Sequence, residues 1–247
     1  MSGTLCFVSG GSSGIGGALI ESLPFRPARI VCLSRRPGPL HPEPAAACVH
    51  VAVDLAEPAG WQRAIEVFEK EIARFTGERV IFVHAAGTLT PIGFAGDVEP
   101  SAYRRNVLLN SAAPQVLGDG FLHALRATRA EARLLFIGSG AATSVYEGWS
   151  GYGAGKAALE QWTRTVGAEQ ARRGGRCRIL CVAPGVVATA MQEEIRATDP
   201  ERFPEVARFV ALQREGALRD PAEVARELWS LLDRDLENGA VLDLRRR

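Results

Sequence analysis

Three features of the sequence determine the fold class it predicts. Short apolar runs alternate with longer stretches of helical periodicity from end to end. A glycine-rich turn joins the first apolar run to the first helical stretch. No linker or internal repeat divides the 247 residues. Strands that are apolar throughout are buried on both faces, and helical connections between them make the sheet parallel. Right-handed crossovers then give an α/β fold, a Rossmann-type doubly wound parallel sheet in a single domain over residues 1–247.

The elements follow in order. TLCFVSG (4–10) reads as a strand ending in glycine, and GIGGALIESL (14–23) as a helix with Ile15, Leu19 and Leu23 on its apolar face. ARIVCLS (28–34) and CVHVAVD (48–54) are two more buried strands. The proline-rich stretch between them, RRPGPLHPEPAAAC, reads as a surface loop rather than a domain boundary. An amphipathic helix (56–75) leads to the strand ERVIFVHAAG (78–87). A long helical region spans about Ser101 to Ala127 and precedes the strand ARLLFIGSG (132–140). A helix over 151–173 and the strand RCRILCVAPG (176–185) follow, then two or three helical segments to about Arg234. GAVLDL (239–244) is the last strand.

Composition removes several function classes. A net charge of +1 argues against nucleic acid or an anionic membrane as the main partner. No apolar run reaches the roughly 18 residues of a membrane span. The N-terminus lacks the charged and apolar regions of a secretory signal. The five cysteines lie in apolar runs without metal-type spacing, so they read as reduced core residues of a cytoplasmic protein, with no metal. The run Arg245 to Arg247 reads as a solvated tail.

SGGSSGIG, Ser9 to Gly16, falls at the first strand-to-helix turn. Gly10, Gly14 and Gly16 permit a sharp turn and close backbone approach to a pyrophosphate, and the N–H groups that open the next helix face the anion. Ser12 and Ser13 add hydroxyl donors, and Ile15 completes the loop. After the second strand, CLSRRPG offers Ser34, Arg35 and Arg36 and no acid for a ribose 2′-hydroxyl. Arginine pairs bidentately with phosphate, so the expected cofactor is NADPH/NADP+ rather than NADH.

YEGWSGYGAGKAALE (146–160) holds one of only two lysines among 29 basic residues. Lys156 follows Tyr152 by one helical turn, on the same face. A phenol with a free pKa of about 10 is a sluggish acid near neutrality, and a nearby cation stabilises its anion. Lysine is compact and passes a proton on; arginine is planar and permanently charged.

With these residues the chain resembles the short-chain dehydrogenase/reductases over essentially its full length. The resemblance implies catalytic roles for Asn110, in YRRNVLLNSAAP, for Ser139, thirteen residues before Tyr152, and for Tyr152 and Lys156. Asn110 would hold a water linking Lys156 to solvent, Ser139 would bind the substrate oxygen, and Lys156 would reach the nicotinamide ribose. Asp54 and Leu55 match the pair that contacts the adenine. HAAG supplies Ala86 and Gly87 to the cofactor, and departs from the family's usual asparagines at His84, which is given no catalytic role. PGVVAT (184–189) supplies Pro184, Gly185, Val187 and Thr189 around the nicotinamide, with Met191 on a flexible lid beyond.

A narrower likeness is to the benzil reductase and sepiapterin reductase branch, which implies vicinal dicarbonyl substrates. Tyr146 and Trp149 either wall an aromatic pocket, with Gly185, or merely pack. Asp243 sits where the pterin-anchoring aspartate of that branch lies, or is simply the acid that ends the last strand. The expected function is reduction of one carbonyl of a vicinal diketone with Tyr152 as proton donor. A pterin side-chain reductase, a general ketone reductase and a catalytically silent NADP-binding sensor are the alternatives. The family's mode of association implies a homodimer through long helices.

Overall fold

Strands Thr4–Ser9 (β1), Ala28–Ser34 (β2), Ala46–Ala52 (β3), Arg79–His84 (β4), Glu131–Ile137 (β5), Cys177–Ala183 (β6) and Ala240–Asp243 (β7) form one sheet in the order β3-β2-β1-β4-β5-β6-β7, with every pairing parallel. The structure, a computed structural model, describes residues 3–39 and 46–246. The middle of the proline-rich loop (40–45) and Arg247 lie outside the described residues, as do Met1 and Ser2. The helices are Gly14–Glu21 (α1), Pro58–Ala73 (α2), Pro100–Val107 (α3), Ala113–Ala124 (α4), Ser150–Arg172 (α5), Ala190–Arg196 (α6), Val206–Arg214 (α7) and Pro221–Leu231 (α8). The expected doubly wound single domain is what forms. The long helical region 101–127 is broken, however: a π turn, Leu108–Ala112, separates α3 from α4.

Alternation along each strand divides the core between the two sheet faces. Leu5 and Phe7 of β1 point one way with Phe82 and Phe136, toward α2, α4 and α5. Phe68 of α2 meets Phe7 edge to face at 4.9 Å and Phe82 at 4.9 Å, and Phe121 of α4 closes the group. Cys6 and Val8 point the other way, under α1 and α8, where the Trp229 indole N–H donates to the Leu19 carbonyl at 3.2 Å. All five cysteines are free thiols, four of them buried, and burial pushes Cys177 and Cys181 up to about 12.

Strand order reverses at β1, whose neighbours β2 and β4 lead to opposite sides of the sheet. At such a switch point the loops beyond the strand ends diverge and leave a crevice. A third apolar cluster, built from Trp149, Tyr152, Ile195, Phe203, Val206 and Phe209, lies outside the sheet and floors one end of it. Aromatic stacking organises this cluster: the Trp149 and Phe203 rings lie 4.5 Å apart, 14° from parallel.

Candidate active site

The crevice is a cavity of about 730 Å³, within the range of small-molecule and cofactor sites. Its walls bring together residues from all the strand-end loops. Gly10, Ser12, Ser13, Gly14, Ile15 and Gly16 line it at the end of β1, where Gly10 has φ +67° and a Cβ would lie 2.7 Å from the Ala86 backbone. Only glycine lets these two loops touch, so the β1 turn stays open toward the cavity while α1 starts beneath it. Ser34, Arg35 and Arg36 line it after β2, Asp54 and Leu55 after β3, and Ala86 and Gly87 after β4. Ser139, Tyr146, Trp149, Tyr152 and Lys156 line it after β5, and Pro184, Gly185, Val187, Thr189 and Met191 after β6. A glycine cradle at a helix start and two exposed arginines beyond β2 fit a phosphate-bearing dinucleotide.

The catalytic candidates stand on α5 and on the turn before it. Ser139 caps the short turn Gly140–Ala142; its Oγ accepts the Ala141 N–H at 3.2 Å, which leaves the hydroxyl hydrogen free to donate. The Tyr152 hydroxyl likewise bonds to no described residue. Lys156 is 6% exposed. Its Nζ donates to the Ile137 carbonyl at 2.8 Å and lies 5.6 Å from the centre of the Tyr152 ring. Two ammonium hydrogens therefore remain for other acceptors. Gly155 lets α5 approach this closely, because a Cβ there would come 2.8 Å from the Asn110 Cβ.

Asn110 is buried against the loop after β4. Its side chain is committed to the loop after β4: Oδ1 accepts the Thr88 N–H at 3.0 Å, and Nδ2 donates to the Thr88 carbonyl at 2.8 Å and to Asn106 Oδ1 at 2.9 Å. Both amide hydrogens are spent and the side chain orders the Thr88 loop, while Oδ1 keeps a second lone pair for a further donor. The π turn that carries it closes with the Ala113 N–H donating to the Leu108 carbonyl, five residues back. Asn106, one turn earlier, extends the same ladder to the Leu89 and Thr90 carbonyls. Its spacing from Asn110 in RRNVLLN was the available signal.

Asp243 and Arg245 form a pair at the end of β7. Asp243 is not among the residues lining the cavity, and Arg245 is. The Arg245 guanidinium grips the Asp243 carboxylate through Nε at 2.9 Å and Nη2 at 2.5 Å. That pairing, aided by the Arg245 N–H, holds the Asp243 carboxyl below the usual carboxylate range. Arg245 is thus exposed, as a tail residue would be, but it follows β7 beside the β6 loop, lines the cavity and is held by Asp243. Met191 lies in the first turn of α6, directly after Thr189, and Glu194 of that helix accepts the Thr90 hydroxyl at 2.5 Å across the cavity mouth. Tyr146 and Trp149 do both things allowed for them: they line the cavity and pack with Phe203 and Phe209.

At the far end Arg105 was missed by sequence reading. Its Nη2 donates to Asp54 Oδ2 at 2.7 Å, and its Nη1 pairs with Glu57. Burial pushes the Asp54 carboxyl up, but the Ala56 N–H, Arg105 and the charge of Arg35 outweigh it and leave it below its ordinary value.

His84 is buried behind the site. Its Nδ1 pairs with Ser9 Oγ at 2.9 Å, and its Nε2 finds no partner among the described residues. Burial, then the Lys156 charge, depresses its pKa to about 3. The unfolded chain therefore binds a proton that the folded one does not between about pH 3 and 6.5, and stability rises with pH through that window. At pH 5 this one group should cost about 2 kcal/mol relative to pH 7. Urea unfolding at the two pH values should show the loss in the native protein and a smaller one in His84→Asn. Equal losses in both would assign the acid sensitivity to other groups.

Comparison with known proteins gives a consistent picture. The chain matches the short chain dehydrogenase family over residues 4–200. It is 33% identical to a benzil reductase, (S)-benzoin forming, of Bacillus subtilis, over 74% of this chain and 77% of that protein. It is 29% identical to the sepiapterin reductase of Mus musculus, over 97% and 95%. Among solved structures, the KRED1-Pglu enzyme superposes with a TM-score of 0.77 at 26% identity, over 96% of this chain and 99% of that one.

Proposed function

The chain belongs to the short-chain dehydrogenase family and is an oxidoreductase; on that premise we propose an NADPH-dependent reductase that converts one carbonyl of a vicinal dicarbonyl compound to the alcohol. The observation that carries this reading is the meeting, in one cavity, of two hydroxyl groups with uncommitted hydrogens, Ser139 and Tyr152, beside the buried Lys156 ammonium and an aromatic floor. The cofactor would be held by the Gly10–Gly16 loop, by Arg35 and Arg36 at the 2′-phosphate with Ser34 setting the course of that loop, and by the Pro184–Thr189 loop. When bound, NADPH supplies the hydride.

The chain's own residues do the rest. Ser139 donates a hydrogen bond to the carbonyl oxygen and fixes the carbonyl carbon toward the hydride face. Tyr152 donates its proton to the same oxygen as negative charge develops there. The Lys156 ammonium, held in place by the Ile137 carbonyl, stabilises the resulting phenolate and restores its proton. Asn110, whose Oδ1 keeps a lone pair beside the Thr88 loop, would hold the water through which that proton arrives. Tyr146 and Trp149 flank an apolar substituent, with a gain of about 25 cal/mol per Å2 buried.

A vicinal diketone suits this site because its second carbonyl withdraws electrons from the first. Reduction of one carbonyl removes that activation, so the product should be the hydroxyketone and not the diol. With benzil as substrate we expect one enantiomer to dominate, the S form by likeness to the Bacillus subtilis enzyme. Chiral chromatography of the product, run beside rates for monoketones of matched size, tests this. Racemic benzoin, full reduction to the diol, or faster monoketone turnover would each count against the reading, and no turnover of any carbonyl would favour a silent NADP-binding protein. The pterin-type alternative requires an Asp243 carboxylate facing the ring, and Arg245 engages that group.

A further inference from the structure

Arg245 stands at the substrate end of the cavity. Its stem lies along Gly185, where a Cβ would come 3.2 Å from Cγ, and its guanidinium lies against Gly140, where a Cβ would come 2.9 Å from Nη2. Gly140 follows Ser139 directly in the chain, and both Ser139 and Arg245 line the cavity, so the guanidinium is on the same side of it as the turn that carries the hydroxyl meant to hold the reacting oxygen. Asp243 fixes the planar group through Nε and Nη2. Both Nη1 hydrogens and one on Nη2 bond to no described residue. The other cavity arginines, Arg35, Arg36 and Arg105, gather at the opposite end around Asp54. Glu194 is the acid lining the substrate end, and it is engaged by the Thr90 hydroxyl.

A fixed guanidinium with free donors next to an oxygen site is suited to a second oxygen on the same small molecule. Resting on the reductase reading above, we propose that Arg245 reads the second oxygen function of the substrate, and that the site prefers 2-oxo acids with an aromatic or apolar substituent over their neutral counterparts. In the reaction the oxo carbon gains a hydride from NADPH, its oxygen takes the Tyr152 proton, NADPH becomes NADP+, and the carboxylate stays on Arg245 unchanged. A neutral diketone would use the same donors through its second carbonyl, more weakly, because charge-assisted hydrogen bonds are the stronger kind.

The test compares phenylglyoxylate with its methyl ester. Calorimetric binding of each to the protein with NADP+ present, where no reduction occurs, gives a ratio of affinities. The native ratio should favour the carboxylate by roughly tenfold. Arg245→Gln should bring the ratio near one, and Asp243→Asn, which frees the guanidinium from its carboxylate, should raise it. A ratio that survives Arg245→Gln, a native ratio near one, or a fall in Asp243→Asn would overturn the assignment. Turnover of the two probes with NADPH is read separately. Binding selectivity that depends on Arg245 without any NADPH oxidation supports the Arg245 assignment and sinks the reductase reading. Turnover of both probes at equal efficiency, with no binding preference, does the reverse.

Discussion

Tyr152→Phe is expected to lower kcat by about 10²–10⁴-fold, and Lys156→Arg to lose most turnover as well, both in proteins that remain folded. Phenylalanine keeps the ring that packs on Trp149 at 5.6 Å and removes only the proton donor, so the fold has no reason to change. The lysine case is more demanding, since arginine preserves the charge. Lys156 is buried, and its one protein acceptor is the Ile137 carbonyl at 2.8 Å. Gly87 and Gly155 bring the β4 loop and the Asn110 turn against this space, which leaves little width for a planar group. A guanidinium has five donors in a rigid fork and does not release a proton. It could not satisfy those donors there, nor relay a proton to the phenol. Steady-state kinetics beside circular dichroism and thermal melts decides the matter. A folded Lys156→Arg protein with native kcat would show that charge alone is what the position requires.

The parts of this site that could be read from sequence are those whose geometry is local. The β1 glycine turn is set by residues within one loop, and Tyr152 and Lys156 share a face because one helical turn separates them. The alternation that buries Leu5 and Phe7 on one side and Cys6 and Val8 on the other is equally local, so the sheet and its helices were legible in order. What sequence did not yield depends on distant partners. The side chain of Asn110 is tied to the Thr88 loop, 22 residues away, which no local spacing announces. Trp149 stacks on Phe203, and no periodicity joins a turn before α5 to a segment after α6. Arg245 looked like a tail residue because its place depends on β7 pairing with β6 in register Ala183–Asp243, which brings the chain end over the β6 loop. Helix periodicity likewise gave one long helix where a π turn intervenes, since five residues of wider winding barely disturb the pattern.

Removing Arg35 should weaken NADPH binding about tenfold to a hundredfold and leave NADH nearly unchanged. Arg35 is exposed, lines the cavity, and bonds to no described residue, so its guanidinium is available to a ligand rather than to the fold. Ser34 helps in a different way: its hydroxyl donates to the Arg36 carbonyl at 2.5 Å and sets the course of the chain as it leaves β2. The nearby Asp54 carboxylate could compete for Arg35, but Arg105 already pairs with it at 2.7 Å and a second arm of Arg105 goes to Glu57. The local balance of Arg35, Arg36 and Arg105 against Asp54 and Glu57 is therefore positive, which favours a ligand carrying an extra phosphate. Screening acts strongly on so exposed a group, so the discrimination should shrink as salt is raised through a few hundred millimolar. Fluorescence titration of both cofactors into the native protein and Arg35→Ala, at low and high salt, measures each part. Equal weakening of NADPH and NADH would assign Arg35 to the structure of the β2 loop, and a native protein that binds NADH as tightly as NADPH would remove the phosphate from the argument altogether.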